Sequence, residues 1–187
     1  LARMRLAVEL ATQGDGKATA ELTRNIAELD ALIGELLLSS RLDVARRLER
    51  TESVDLLALA AEEAAHFDRE VSGEAVTVRG EPMLLRRLVR NLLENARLHA
   101  GGACEVRVRR AGGFAQLLVE DAGPGVPAED REKIFEPFYR RRESAQSTGS
   151  GLGLSIVQQV ARVHGGDVKY EPREGGGSRF VVNLPRE

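Results

Sequence analysis

The chain has 187 residues, 42% of them hydrophobic, with a formal net charge of -2, enough for one sizeable core plus an extension. That charge, with an isoelectric point near 6.0, leaves no field able to hold a nucleic acid or an anionic membrane surface, so any phosphate has to be bound locally. Cys104 is the sole cysteine, which excludes an intrachain disulfide and fits a reducing, cytosolic setting; no run approaches the roughly 18 apolar residues of a membrane span, and a soluble chain is expected.

Residues 1–48 contain no proline and read as two helices separated by the breaker Gln13-Gly14-Asp15-Gly16. Leu1, Met4, Val8 and Ala11, then Leu22, Ile26, Leu29, Ile33 and Leu36, step by threes and fours as a heptad seam does. Such a seam buries itself in an antiparallel hairpin that pairs with a second copy into a four-helix bundle; the plainer alternative is a pair of helices packed on their own domain. The first helix covers only about the first 12 residues of the second, so Ile33, Leu36, Leu37 and Leu38 are expected to have no partner within the hairpin.

From Glu52 onward the pattern becomes mixed. Residues 53–56 read as a short strand, 56–67 as a helix, 75–78 as a strand, and 82–99 as a helix with proline in its first turn. Residues 105–109 and 114–120 alternate across Ala111-Gly112-Gly113 as a hairpin, 151–164 form a helix closed by Gly165-Gly166, and 167–171 with 179–184 make a last hairpin. Mostly antiparallel strands with helices on one face give a two-layer α+β sandwich, here preceded by the helical hairpin. The long irregular stretch 122–150 exceeds what a compact domain tolerates without a functional reason.

Three pieces of this layout suit a magnesium-bound adenosine triphosphate. Asn91 and Asn95 lie one helical turn apart, and magnesium takes one or two hard oxygens from protein, for which a carboxamide serves. Leu88, Val89, Leu92 and Leu93 occupy the core-facing side of that helix, and Glu94 reads as solvated or as a neighbour of the ligands. Asp121 ends an apolar strand, where its carboxylate can accept from the exocyclic amine of adenine, while Gly123 and Gly125 admit the ring. Gly149, Gly151, Leu152 and Gly153 open a helix whose N–H groups cradle phosphate.

Between them, Phe135, Phe138 and Tyr139 read as anchors of a lid, and Arg140 is preferred over Arg141 and Arg142 as the γ-phosphate contact. His99 is a candidate nucleotide contact, whereas His66 and His164 sit near helix ends and read as structural; no spacing supports a transition-metal site. Each piece alone has a plainer reading: a surface pair of asparagines, a turn that needs glycines, a solvated charge cluster. Their order is the informative part.

In that order the residues resemble the catalytic core of bacterial sensor histidine kinases of the envelope-stress class. Asn91-Leu-Leu-Glu-Asn-Ala is similar to their N box, Asp121-Ala-Gly-Pro-Gly to the G1 box, Phe135-Glu-Pro-Phe to the F box and Gly149-Ser-Gly-Leu-Gly-Leu to the G2 box. The resemblance covers essentially the whole chain. It implies residues 1–48 as a partial dimerisation hairpin and 49–187 as a Bergerat-fold ATP-binding catalytic domain, with ATP and Mg2+ as cofactors. Asn95 and Arg140 would be catalytic, and Asn91 and Asn95 would hold the metal. The γ-phosphoryl would pass to a histidine and then to an aspartate of an OmpR-like response regulator. It further implies a homodimer in the full-length protein, no nucleic acid, and the cytoplasmic part of an inner-membrane sensor that reaches the membrane only through upstream segments.

There are departures. The chain opens Leu1-Ala-Arg-Met-Arg, similar to the stretch just after the acceptor motif, so the acceptor histidine and its neighbouring acid are expected to be missing and self-phosphorylation is not expected. Leu98 stands where the N box usually has a basic residue, with Arg97 one position earlier, and the segment 68–80 is short for two strands, which predicts that one is lost. Two other classes remain open: a gyrase-, Hsp90- and MutL-type ATPase, which would place a glutamate base where Asn91 stands, and a non-catalytic nucleotide-binding or dimerisation module. Anti-sigma serine kinases share that glutamate and lack the hairpin.

Overall fold

The computed structural model describes residues 16–44, 48, 50–101, 104–140, 150–173 and 175–187. The first predicted helix and Gly149, Arg141 and Arg142 lie outside them. Helix α1 (Gly16–Val44) matches the second hairpin helix. β1 (Glu52–Asp55) leads directly into α2 (Leu56–Ala65), whose start is set by Asp55: its Oδ1 accepts from the N–H groups of Leu57 at 2.9 Å and Ala58 at 3.1 Å. β2 (Val71–Gly73) and β3 (Thr77–Gly80) come next, then α3 (Pro82–His99), which begins at proline because N1 needs no N–H. β4 (Cys104–Ala111), β5 (Phe114–Asp121), α4 (Gly153–Val163), β6 (Asp167–Pro172) and β7 (Ser178–Pro185) complete the order, with short 3-10 turns at Ala128–Asp130 and Lys133–Phe135.

The five-stranded sheet runs β2-β4-β5-β7-β6, parallel only between β2 and β4, and β1 pairs with β3 in a separate two-stranded sheet. The register places Val106, Val119 and Phe180, and likewise Val108, Leu117, Val182 and Val168, in rows across the strands. These rows are buried together with Leu88, Val89, Leu92 and Leu93 of α3 and Ile156, Val157 and Val160 of α4, so the helices cover one face. One of the alternate rows is polar throughout: Arg109 donates to Gln116 (2.9 Å), Gln116 to Asn183 (2.7 Å) and Asn183 to Asp167 (2.7 Å), a ladder across four strands.

One expectation is corrected. Both strands of 68–80 exist; the one that escapes notice is β2, which is only three residues long and enters a different sheet from β3. Gly73, at φ 130°, lets the first end against β4, since a Cβ there would lie 1.8 Å from the Val108 carbonyl oxygen. Leu38, expected to have no partner within the hairpin, finds one outside it: Leu38, Ser39 and Leu42 pack on the α+β unit, while Leu22, Leu29, Ile33, Leu36 and Leu37 stay 44–54% exposed. The helix therefore has two apolar faces, one covered by its own domain and one open.

Candidate functional site

Asn91 is buried in the face of α3 that meets the start of α4, and its Nδ2 donates to the Gly153 carbonyl at 3.1 Å. A carbonyl can only accept, so the NH2 end must face it and the amide oxygen points the other way. Asn95, one turn on, is half-buried, and its side chain has no hydrogen-bond partner among the described residues. Two neutral oxygens on one helical face fit the modest demand magnesium makes of protein, its other ligands being water and phosphate oxygens. Among the described residues there is no group of three or more His, Cys, Asp or Glu able to hold a metal.

Asp121, 3% exposed, ends β5 in the middle of a tight backbone junction. Its Oδ1 accepts from the Gly123 N–H at 2.8 Å and the Ser178 N–H at 3.2 Å. Gly177 closes over it: at φ 106° a Cβ would stand 2.1 Å from the Asp121 carbonyl oxygen. Gly123 brings the same turn against α3, where a Cβ would come within 2.9 Å of the His99 carbonyl oxygen. The Asp121 turn is thereby seated on the C-terminal end of the helix that carries both asparagines. The His99 side chain is exposed, and it is the backbone of His99 that meets the turn.

Sequence reasoning misses several groups around this junction. The Val126 N–H donates to the Tyr170 hydroxyl at 2.9 Å, and Tyr170 stacks edge-on against Phe180 with centroids 5.7 Å apart. Arg131 lies over the Tyr170 ring at 5.8 Å and donates to the Val126 carbonyl, and Arg173 donates to the Asp121 carbonyl at 3.0 Å. Tyr170 and Arg173 arrive on a hairpin some fifty residues away, so only the strand register announces them.

At the other end, Gly151 takes φ 73°, and Phe138 donates its N–H to the Gly151 carbonyl at 2.9 Å, closing the base of the predicted lid. Phe135 is buried edge-on against Phe180, and Tyr139 donates to Asp130 at 2.6 Å, so both anchor the loop. Phe138 does not anchor it: its ring is 59% exposed and its own φ is 63°. Arg140 is exposed beside this closure. Leu152 is buried as the α4 N-cap, with its N–H bonded to Ser150 Oγ at 3.1 Å. A Cβ on Gly153 would meet Asn91 only at 3.9 Å, so contacts within the protein do not require glycine there.

Helix α1 reaches this end of the site. Glu35 accepts from Ser150 Oγ at 2.7 Å and from Arg87 at 2.8 Å. Near them, burial first and the Glu35 charge after it hold the Glu94 carboxyl above its ordinary range, against the pull of Arg87, Arg90 and Arg97. A groove of about 420 Å³ along α4, lined by Phe135, Gln158, Arg162 and Asp167 among others, contains none of the predicted site residues.

Residues 80–187 match the family model described as histidine kinase-, DNA gyrase B- and HSP90-like ATPase. The sensor protein RstB of Escherichia coli K12 is 34% identical over 99% of this chain and 45% of its own length. The chain thus spans less than half the length of such relatives. Among solved structures, the mycobacterial sensor histidine kinase MprB superposes with a TM-score of 0.64 at 32% identity over 74% of this chain and 99% of that one. Full-length ShkA, solved in complex with AMPPNP, reaches 0.76 at 25% identity over 98% of this chain and 42% of its own. A fold with the amide helix, the strand-end aspartate and the glycine-opened helix in these positions, and relatives that match this chain over nearly all of its length, place this chain in the family of sensor histidine kinases, through their histidine kinase-type ATPase catalytic domain.

Proposed function

We propose that the chain binds Mg-ATP between α3, the Asp121 turn and the start of α4, and transfers the γ-phosphoryl group to a histidine on a dimerisation hairpin. The observation that carries this is the Asn91 to Gly153 hydrogen bond of 3.1 Å. It brings the asparagine helix against the glycine-opened helix, while Gly123 seats the Asp121 turn on the same asparagine helix.

In this reading Asp121 accepts from the adenine amine, and Gly123 and Gly125 flank the base beside His99. The backbone of Gly149, Gly151, Leu152 and Gly153 cradles phosphate, Asn91 and Asn95 offer oxygens to Mg2+, and Arg140 neutralises γ-phosphate charge. Magnesium, when bound, supplies charge neutralisation on the transferring phosphoryl, and the protein's part is positioning. An asparagine at position 91 cannot take a proton from water as a glutamate base would, which favours transfer over hydrolysis.

Residues 1–48 form part of the dimerisation hairpin and 49–187 the catalytic domain. The open face of α1, with Leu29, Ile33, Leu36 and Leu37 exposed, suits a bundle formed with a second copy. An OmpR-like response regulator receives the phosphoryl group, and the whole protein is an inner-membrane sensor of which this part is cytoplasmic.

The test is incubation of the chain with γ-labelled ATP, Mg2+ and a hairpin bearing the acceptor histidine. The expected product is an acid-labile, base-stable phosphoprotein that forms only with Mg2+ present. Release of inorganic phosphate without labelled hairpin favours the ATPase reading, and absence of nucleotide binding favours the non-catalytic one.

A further inference from the structure

The two helices that frame the proposed site, α3 and α4, are tied by side-chain hydrogen bonds at two places. One is Asn91 on Gly153, inside the site. The other is His164, the C-cap of α4, at the opposite end of that helix, about 16 Å away along its eleven residues. His164 Nδ1 donates to the Val160 carbonyl at 2.7 Å, which leaves the Nε2 lone pair to accept from the Glu81 N–H at 3.1 Å. Glu81 is the N-cap of α3 and has no side-chain cap of its own.

The space for the ring is built in: a Cβ on Gly80 would lie 2.6 Å from the imidazole Cδ2 and 2.7 Å from Nε2. This arrangement admits only the neutral ring. A second proton would sit on Nε2 and face the Glu81 N–H, donor against donor, at the positive end of α3.

We propose that His164 is a positioning residue for nucleotide binding: its neutral ring sets the register of α4 against α3 and so keeps Gly153 on Asn91, and its protonation releases that register and weakens Mg-ATP binding. The inference rests on the reading of α3 and α4 as the nucleotide site. Burial is the main influence on the ring and lowers its basicity, against the Val160 hydrogen bond and the Glu81 carboxylate. Glu81 is the charged group that α3 turns toward it; among the described residues no charged side chain of β3, α4 or β7 adds to these influences. Because the folded ring is less basic than the unfolded one, its contribution is complete above the ordinary imidazole value and is lost as pH falls below it.

The experiment measures Mg-ATP affinity by titration calorimetry for the 187-residue chain, His164→Gln and His164→Ala at about pH 8 and about pH 5.5, either side of the ordinary imidazole value. Glutamine can accept from Glu81 and donate to Val160 without titrating. At the higher pH, His164→Gln is expected within about twofold of wild type and His164→Ala about fivefold weaker. Between the two pH values, wild type is expected to lose at least about fivefold more affinity than His164→Gln, a ratio that cancels the titration of ATP itself.

A pH-independent ratio, or wild-type affinity in a folded His164→Ala, overturns the proposal. Thermal melts separate lost folding from lost register. In the nucleotide-free protein, the Asn91 side-chain amide resonance should shift as His164 titrates and stay still in His164→Gln. If it shifts while wild type ignores Mg-ATP, the site reading fails and the tie stands; if it does not shift, the tie fails.

Discussion

Replacing Asp121 separates what this carboxylate does for the fold from the adenine contact proposed for it. Its Oδ1 holds the N–H groups of Gly123 and Ser178, and the residue is 3% exposed. Asp121→Ala orphans the buried Ser178 N–H at about 1–3 kcal/mol and the part-buried Gly123 N–H at about 1 kcal/mol, and in the proposed site it also removes a charge-assisted hydrogen bond to the base of about 1.5–3 kcal/mol. The variant should therefore be destabilised by about 2–4 kcal/mol in urea and bind ATP at least about tenfold more weakly.

Asp121→Asn is the sharper probe. Its amide oxygen can still accept from both backbone donors, so its urea midpoint should stay close to wild type. Its NH2 then faces the adenine amine, donor against donor, and affinity for ATP should fall by about ten- to hundredfold. The same NH2 can donate to the oxygen that guanine carries at that position, so the preference for ATP over GTP should narrow. Titration calorimetry with both nucleotides reads this directly. Unchanged ATP affinity in a folded Asp121→Asn would refute the adenine role, whatever the alanine variant does.

Tyr170→Phe removes the acceptor for the Val126 N–H while keeping the ring against Phe180, and should weaken ATP about fivefold with little change in melting temperature. Glu63, buried on α2, accepts from Arg90 at 2.8 Å and Arg86 at 3.3 Å. Glu63→Ala should cost about 2–3 kcal/mol by denaturant unfolding, less than a fully buried pair because both arginines keep a third or more of their surface in water. Glu94 is held protonated to higher pH in the folded chain than in the unfolded one, so its contribution is present in acid and is lost as pH rises through the folded value. Glu94→Gln should accordingly raise the melting temperature at neutral pH, with the gain vanishing near pH 4; an equal gain at both values would show that the charge is not the cause.

Much of the fold is legible because its elements carry strong local signals. Residues 82–99 combine a first-turn proline with a clean apolar stripe, and α3 runs Pro82–His99. The hairpin across Gly112-Gly113 and the two-residue alternation of β4 and β5 are equally plain. The β2 strand is not, since three residues cannot display a period, and its place beside β4 depends on Gly73 meeting Val108. Phe138 misleads for a related reason: in an irregular loop no period says which aromatic turns inward, and the positive φ at Phe138 sends its ring to solvent.

The division extends to the site. Sequence alone determined the chemical inventory, because an amide pair one turn apart, an acid at a strand end and glycines opening a helix are features of local spacing. Tertiary structure decided which groups serve that inventory from a distance: Ser178 on the Asp121 carboxylate, Tyr170 under the Val126 turn, Glu35 on Ser150, and His164 between two helix ends. Hydrogen bonds between residues 44 to 115 positions apart leave no trace in local periodicity, since they exist only once the strands have registered and the helices have docked.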